Sequence, residues 1–530
     1  MKTQYTLRIT RSIVAAVGAL VILSNVSNAG AAPGKELWRP QFHFTPDRNW
    51  MNDPNGMLFF EGEYHLFYQY NPMGDRWGHM SWGHAVSRDL TRWQHLPLAL
   101  AEENGVMIFS GSAVVDWKNT TGFGTGKAPP LVAIYTGHHT EKPLQNQHIA
   151  YSNDQGRTWT KFSGNPVLDI GEKDFRDPKV FWHEPTRRWI MTVSWPVPRK
   201  VRFYASPNLK DWTHLSDFGP AGSTEGIWEC PDLFPLQTEN GAKERWVLIV
   251  NVGSGAPAGG SGCQYFVGTF DGTRFELDPA AQPTLPAGEA TQPALWADFG
   301  SDFYAAVSWS DIPKADGRRL WIGWLSNWVY AQDVPTSPWR SAMSVPRELM
   351  LGETPSGLRL LQKPVRELEK IRRNGHRLQG SSIANANAWI TGLGIKGNLL
   401  EIAVEFEVPA DPGEFGASVH SSAREQTRLA CDLKNGRLQL DRTRSGRIDF
   451  HPAFSGVHSG PLRSIDGKVR LHLLLDTGSI EVFANDGETV LTDLIFPESA
   501  DLNLRLFATG NSDQIRVKSL QIWELDPSSP

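Results

Sequence analysis

The sequence predicts an all-β protein, a five-bladed β-propeller followed by a C-terminal β-sandwich. Three observations lead there. The phrase "SRDLTRWQHL" at Ser87 returns as "SNDQGRTWTKF" at Ser152 and "SPNLKDWTHL" at Ser206, each time after strand-like sequence and each time with a Trp six or seven residues past the Ser. Such phrases close units of about 50 residues, as in a propeller built from four-stranded blades. From residue 399, segments such as "LLEIAVEFEV" and "VRLHLLLDTGSIEVFANDGETVLTDLIF" alternate with period two around Asp-Thr-Gly-Ser and Asn-Asp-Gly turns, the pattern of a half-buried antiparallel sheet. The chain also carries 49 Gly, 36 Pro and 21 Trp, which suits many turns and many flat apolar faces.

Taken in order, Lys2, Arg8 and Arg11 precede an apolar run from Ile13 to Leu23 and small residues near Ala29. That is the layout of a secretory signal over 1–31, because the run is far shorter than the roughly 20 residues that span a bilayer. The propeller is expected over 38–351. Its blades open with "NDPNGMLFF" near 52, "FSGSAVV" near 109, "RDPKVFW" near 176, "ECPDLF" near 229 and "FYAAVSW" near 303. The charged stretch 352–370 reads as a linker, in part helical, and 371–530 as the sandwich.

A chain of 530 residues with 40% hydrophobic content exceeds one ordinary core. A formal net charge of -5 gives no reason to expect nucleic acid as a partner, or a membrane once the signal is removed. Three cysteines, Cys230, Cys263 and Cys431, form no disulfide framework, and the absence of CxxC and HExxH motifs points to no metal site. "VNVGSGAPAGGSG" near 252 imitates a dinucleotide fingerprint, but Pro257 and the strand-like sequence after it leave no helix N-terminus for a pyrophosphate; it reads as a loop beside a pocket.

In a propeller the first strand of each blade lines the central channel, so Asp53, Asp177 and Glu229 should meet. Each motif alone has a plainer reading, since Asp-Pro and Asn-Gly mostly mark turns. Three carboxylates at blade openings invite acid–base chemistry. Trp228 and Cys230 should desolvate Glu229 and keep it protonated as a general acid. The Asn52 amide and the turn amides of Pro54-Asn55-Gly56 should keep Asp53 ionised as a nucleophile. Asp177, beside Arg176, should stay charged and hold substrate hydroxyls.

"WMNDPNG", "FSGS", "FRDP" and "WECPD", in this order, resemble glycoside hydrolase family 32, the β-fructofuranosidases that include invertases, inulinases and levanases; the likeness runs on through "IEVFANDGETVLTDLIFP". It implies a five-bladed propeller, no cofactor, and retention of configuration through a covalent fructosyl-enzyme. Asp53 then matches the nucleophile, Glu229 the general acid/base and Asp177 the transition-state stabiliser. Asn52, Gln69, Trp77, Phe109, Ser110 and Arg176 match residues that enclose the terminal fructose, and Trp324 or Trp328 stacks nearby. The stretches from Gly253 and from Asn327 resemble exo-acting fructanases, so the expected partners are a fructan or fructo-oligosaccharide and sucrose, and the expected location is outside the cell or in the periplasm. The alternatives are an invertase, an endo-acting or fructose-transferring enzyme, and a non-catalytic fructan-binding protein; the presence of all three acids weighs against the last.

Overall fold

The computed structural model describes residues 36–530 apart from 239–240, 242, 283–293, 396, 500–502, 511–513 and 529–530. The expected secretory segment lies outside the described residues. Strand dominates, and the one α-helix among the described residues is Ile383–Leu393, capped by Ser382, whose hydroxyl accepts from Asn385 N, and closed by left-handed Gly394. No described helix is long and apolar enough to cross a membrane.

From the N-terminal side come five sheets whose opening strands follow chain order, antiparallel except where Trp339–Arg340 joins the edge of the first in parallel beside Asn49 and Trp50. Their opening strands are Asn49–Phe60, Val106–Val115, Arg176–His183, Trp228–Gln237 and Tyr304–Ser308. Each opening strand packs beside that of the next sheet, and the fifth lies beside the first. These strands are buried on nearly every residue, polar ones included.

The repeated phrase marks the turn from the third to the fourth strand. The third strands end at Ser87, Ser152 and Ser206. The side chain two residues on folds back over the turn: Asp89 accepts from Thr91 N and Arg92 N at 3.0 and 2.9 Å, and Asn208 from Lys210 N and Asp211 N at 3.0 and 2.9 Å. This is the local side-chain bonding that makes Asx residues turn formers. A fourth copy sits in the fourth sheet, where Asp271 accepts from Thr273 N and Arg274 N at 2.7 and 2.8 Å. It went unread because the sequence there, "FDGTRF", carries neither the Ser nor the Trp.

Residues 352–370 are not the expected linker, and the first part runs past Leu351. Arg347–Thr354 and Gly357–Pro364 form a hairpin that completes the fifth sheet, with Met350 opposite Leu361 and Leu351 opposite Leu360. Leu349, Leu351, Leu360 and Leu361 are buried, while Glu348, Glu353, Arg359 and Lys363 stay partly or fully exposed; those charges gave the stretch the composition of a linker. The turn closes at Gly357, whose φ of +96° few other residues adopt. Only Arg366–Ile371 is helical, as a 3-10 turn burying Leu368 and Ile371.

Two more sheets follow, one of six strands and one of five. Their facing apolar residues, among them Ile402, Val404, Leu473 and Val482 from one and Ala417, Leu429, Leu438 and Leu440 from the other, share one core. A second cluster joins Phe42, Met51, Leu320 and Ile322 to Leu474, Phe483 and Val490, so the two parts of the chain are fused through apolar contact. Buried ions reinforce the junction. Arg347 reaches Glu481 at 2.6 Å and Asp298 at 3.1 Å, Arg442 reaches Asp302 at 2.6 Å, and His43 lies between Asp476 and Glu481 at 2.8 and 2.9 Å. Burial would lower the His43 pKa, but the bonds to Asp476 and Glu481 outweigh it and raise it to about 9.

Candidate active site

All five opening strands carry the same irregularity. Between Met51 and Pro54, Ile108 and Gly111, Arg176 and Lys179, Glu229 and Asp232, and Tyr304 and Val307, the ladder to the second strand slips by one residue. Such a bulge bends the strand and re-aims side chains that regular pleating would bury in the sheet. At three of the bulges a non-glycine residue takes a left-handed backbone: Asp177 with φ 65°, Cys230 with φ 43° and Ala305 with φ 52°. Conformations of this kind are uncommon outside glycine and collect at functional sites.

The bulges bring the three acids together. Asp53 Oδ2 accepts from Ser110 Oγ at 2.6 Å, and its Oδ1 from Asn52 Nδ2 at 3.0 Å. The Cys230 thiol bridges two of the acids, 3.5 Å from Asp53 Oδ2 and 3.6 Å from Asp177 Oδ2, while its backbone N–H donates to Asp177 Oδ2 at 2.9 Å. Arg176 links the third, donating to Glu229 Oε1 from Nε and Nη2 at 3.0 and 2.8 Å. The Tyr304 hydroxyl donates to Glu229 Oε2.

Three details depart from the electrostatics expected of the sequence. Asp53 is held by side chains rather than turn amides, and its pKa is raised: burial outweighs the Ser110 and Asn52 bonds. Asp177 is pushed up to about 7 by burial, which Arg176 offsets only in part and which Glu229 and Asp53 reinforce. The offset is partial because Arg176 Nε stays 3.9 Å from Asp177 while bonding Glu229 directly. Finally, Trp228 does not cover Glu229. Its indole packs in a neighbouring core with Phe218 and Phe266 and donates to the Ser223 carbonyl.

The remaining predicted residues fall around this centre. Asn52 also accepts from Trp50 Nε1 at 2.7 Å. Gln69 is buried, its amide donating to the Ile108 carbonyl beside Phe109. Phe109 meets the half-exposed Trp77 edge-on with centroids 6.0 Å apart and stacks on His138 at 4.4 Å. Of the two tryptophans left open, Trp324 is fully buried against Trp50 and Trp328. Trp328 instead lines a cavity of about 470 Å³ together with Glu229, Arg199, Glu225, Gly253 and Ser254. The glycine-rich loop after residue 252 thus borders the acids.

Tyr304 and the Cys230 thiol are contacts that the sequence reading missed. Position alone could have flagged them, since each occupies a bulge equivalent to those bearing the acids. Cys230, Cys263 and Cys431 are all buried and unbridged. Among the described residues no group of three or more His, Cys, Asp or Glu side chains is arranged to hold a metal ion.

Residues 43–364 match the N-terminal domain of glycosyl hydrolases family 32 and residues 367–524 the C-terminal domain of the same family. The chain belongs to glycosyl hydrolase family 32. It is 50% identical to a levanase of Bacillus subtilis over 95% of this chain and 73% of that protein. It is 40% identical to an extracellular exo-inulinase of Aspergillus ficuum over 91% of this chain and 94% of that protein. Its fold superposes on the crystal structure of exo-inulinase from Aspergillus awamori with a TM-score of 0.84, at 37% identity, covering 93% of this chain and 99% of that one. The boundary between the two family domains falls just after Pro364, where the fifth sheet ends. This family 32 chain is therefore a glycoside hydrolase.

Proposed function

We propose that this family 32 chain is a secreted, exo-acting fructan β-fructosidase that releases terminal fructose from levan or inulin and cleaves sucrose. The observation that carries the reading is the junction of Asp53, Asp177 and Glu229 through Cys230 and Arg176. The levanase and exo-inulinase relatives support the substrate class, and the charged and apolar N-terminal sequence supports export. We take the first five sheets, whose opening strands neighbour one another in turn, as a five-bladed propeller, and the last two as a sandwich.

In the proposed mechanism Asp53 attacks the anomeric carbon of the terminal fructose. The C–O bond to the leaving group breaks as Glu229 gives its proton to that oxygen, leaving fructose as an ester on Asp53. Ionised Glu229 then takes a proton from water, whose oxygen attacks the same carbon and frees Asp53, with net retention. Arg176 and Tyr304 hold the Glu229 carboxyl in place. Ser110 and Asn52 fix the attacking carboxylate. Asp177 bonds the fructose hydroxyls, and the positive charge that grows on the ring draws it into its ionised form. The wall of Trp328 and the loop after residue 252 receives the leaving group.

Purified protein incubated with levan, inulin and sucrose tests the reading. Free fructose as the sole early product from levan and inulin, and fructose with an equal amount of glucose from sucrose, are expected. An early ladder of oligomers would make the enzyme endo-acting, and retention of fructan without any product would make the chain a binding protein.

A further inference from the structure

The acids lie at the start of the opening strands. Further along four of the same strands, from two or three residues past the acids and so from about 7–10 Å onward at 3.3 Å per residue, side chains line a second and larger cavity of about 850 Å³. Nothing in the proposed mechanism uses it.

Its construction is specific. Lys179, two residues past Asp177, lies on its floor, donating to the Ser308 carbonyl with its ammonium 3.4 Å from Asp232 Oδ2. Asp232 and Ser308 are fully buried, yet Asp232 Oδ1 and Ser308 Oγ have no hydrogen-bond partner and both side chains line the cavity. Buried polar atoms are rarely left in that condition without a ligand or solvent to meet them. The rim is aromatic. Trp117 is 62% exposed, but its indole N–H is fixed to Asp311 Oδ1 at 2.8 Å, so a flat apolar face is held rigidly toward solvent. Trp182 and Trp246 also line the cavity, with the Lys118 ammonium 4.2 Å from the centroid of the Trp182 ring.

The charges say what kind of molecule fits. Four lysine or arginine side chains on the lining face four aspartates or glutamates, so the cavity has no net charge with which to select an ion. Flat indoles at the mouth and unpaired polar atoms on the floor suit a neutral ligand that has apolar ring faces and many hydroxyls. The volume falls in the range of ordinary small-molecule sites.

We propose that this cavity is a second carbohydrate site that grips a segment of fructan chain, its rings on Trp117 and Trp182 and its hydroxyls on Lys179, Asp232 and Ser308. The inference rests on the reading of the chain as a fructan hydrolase. A polymer held at one end of the strands keeps other chain ends near the acids at the opposite end, and this raises their effective concentration without any change in the chemistry. Sucrose is too short to profit.

The test compares the wild type with Trp117→Ala and with Trp117→Ala/Trp182→Ala on levan, inulin and sucrose. A rise of about fivefold or more in KM for at least one polymer, with kcat retained and sucrose kinetics unchanged, is expected. In an Asp53→Asn background, migration through a gel containing the same polymer should be retarded less once the tryptophans are gone. Equal KM values for every polymer and equal retardation would overturn the second site. If the double variant also loses sucrose turnover it has been damaged generally, and Trp117→Ala, at an exposed position, decides alone. Hydrolysis of neither polymer nor sucrose by the wild type would instead refute the proposed function, an outcome distinct from failure of this inference.

Discussion

Replacing Asp177 by Asn should make the protein more stable and far less active, and the gain in stability should depend on pH. Asp177 is buried with Asp53 and Glu229 for neighbours, and its pKa is pushed from 3.8 to about 7. The folded chain therefore binds this proton more tightly than the unfolded chain does. No penalty exists below pH 3.8, it accumulates as pH rises from there to about 7, and it is constant above. At 1.36 kcal/mol for each tenfold difference in proton affinity, the limit is roughly 4 kcal/mol. Asn keeps an oxygen to accept the Cys230 N–H but carries no charge. Thermal melts of both proteins at pH 4 and pH 8 provide the assay. For a chain this long a kcal/mol moves Tm by on the order of one degree, so the variant should match the wild type at pH 4 and melt about 2–4 °C higher at pH 8. Kinetics on the same samples should show kcat lowered by orders of magnitude with little change in KM. A Tm difference that is the same at both pH values, or a variant less stable at pH 8, would refute the argument.

Ser110→Ala removes a 2.6 Å bond to the carboxylate that must be ionised to attack. A charge-assisted bond is worth about 1.5–3 kcal/mol, so the acid limb of the kcat/KM profile should move up by about one pH unit or more, as titration of the rate will reveal. His43→Gln should cost stability mainly at low pH. The fold holds the His43 proton up to about 9 against 6.5, so its contribution, up to roughly 3 kcal/mol, is fully present below pH 6.5 and lost as pH rises through 9; melts at pH 6 and pH 9.5 should show the gap to wild type closing. A chain ending at Pro364 strips Arg347 and His43 of Glu481 and exposes the cluster around Leu320 and Ile322. It should be poorly soluble, and a soluble, fully active product would rule out a supporting role for the C-terminal sheets.

Much of this was legible in the sequence for a physical reason. The opening strands are buried on nearly every residue, so carboxylates recurring at their starts, as Asp53, Asp177 and Glu229 do, stand out against the cost of burying charge. What stayed hidden depends on direction rather than residue type. Adjacent numbering paired Arg176 with Asp177, whereas the bulge sends the guanidinium to Glu229. It likewise paired Trp228 with Glu229, although neighbours on a strand point to opposite faces. Tyr304 looked like one more aromatic in a strand, and the hairpin of 347–364 was concealed by the charges on its outer face. The junction of His43, Arg347 and Glu481 joins positions more than a hundred residues apart, which no local pattern reports.

The central claim is that Asp53 takes up the fructosyl group while Glu229 handles the protons. The most direct measurement gives the Glu229→Gln variant an aryl β-fructoside whose leaving group departs without protonation, then digests the protein and maps any adduct by mass spectrometry. Transfer should proceed and hydrolysis should stall for lack of a base, so a fructosyl ester should accumulate on the peptide containing Asp53, and the Asp53→Asn variant should release no aryl group. An adduct on another residue, or equal release of the aryl group by both variants, would contradict the assignment.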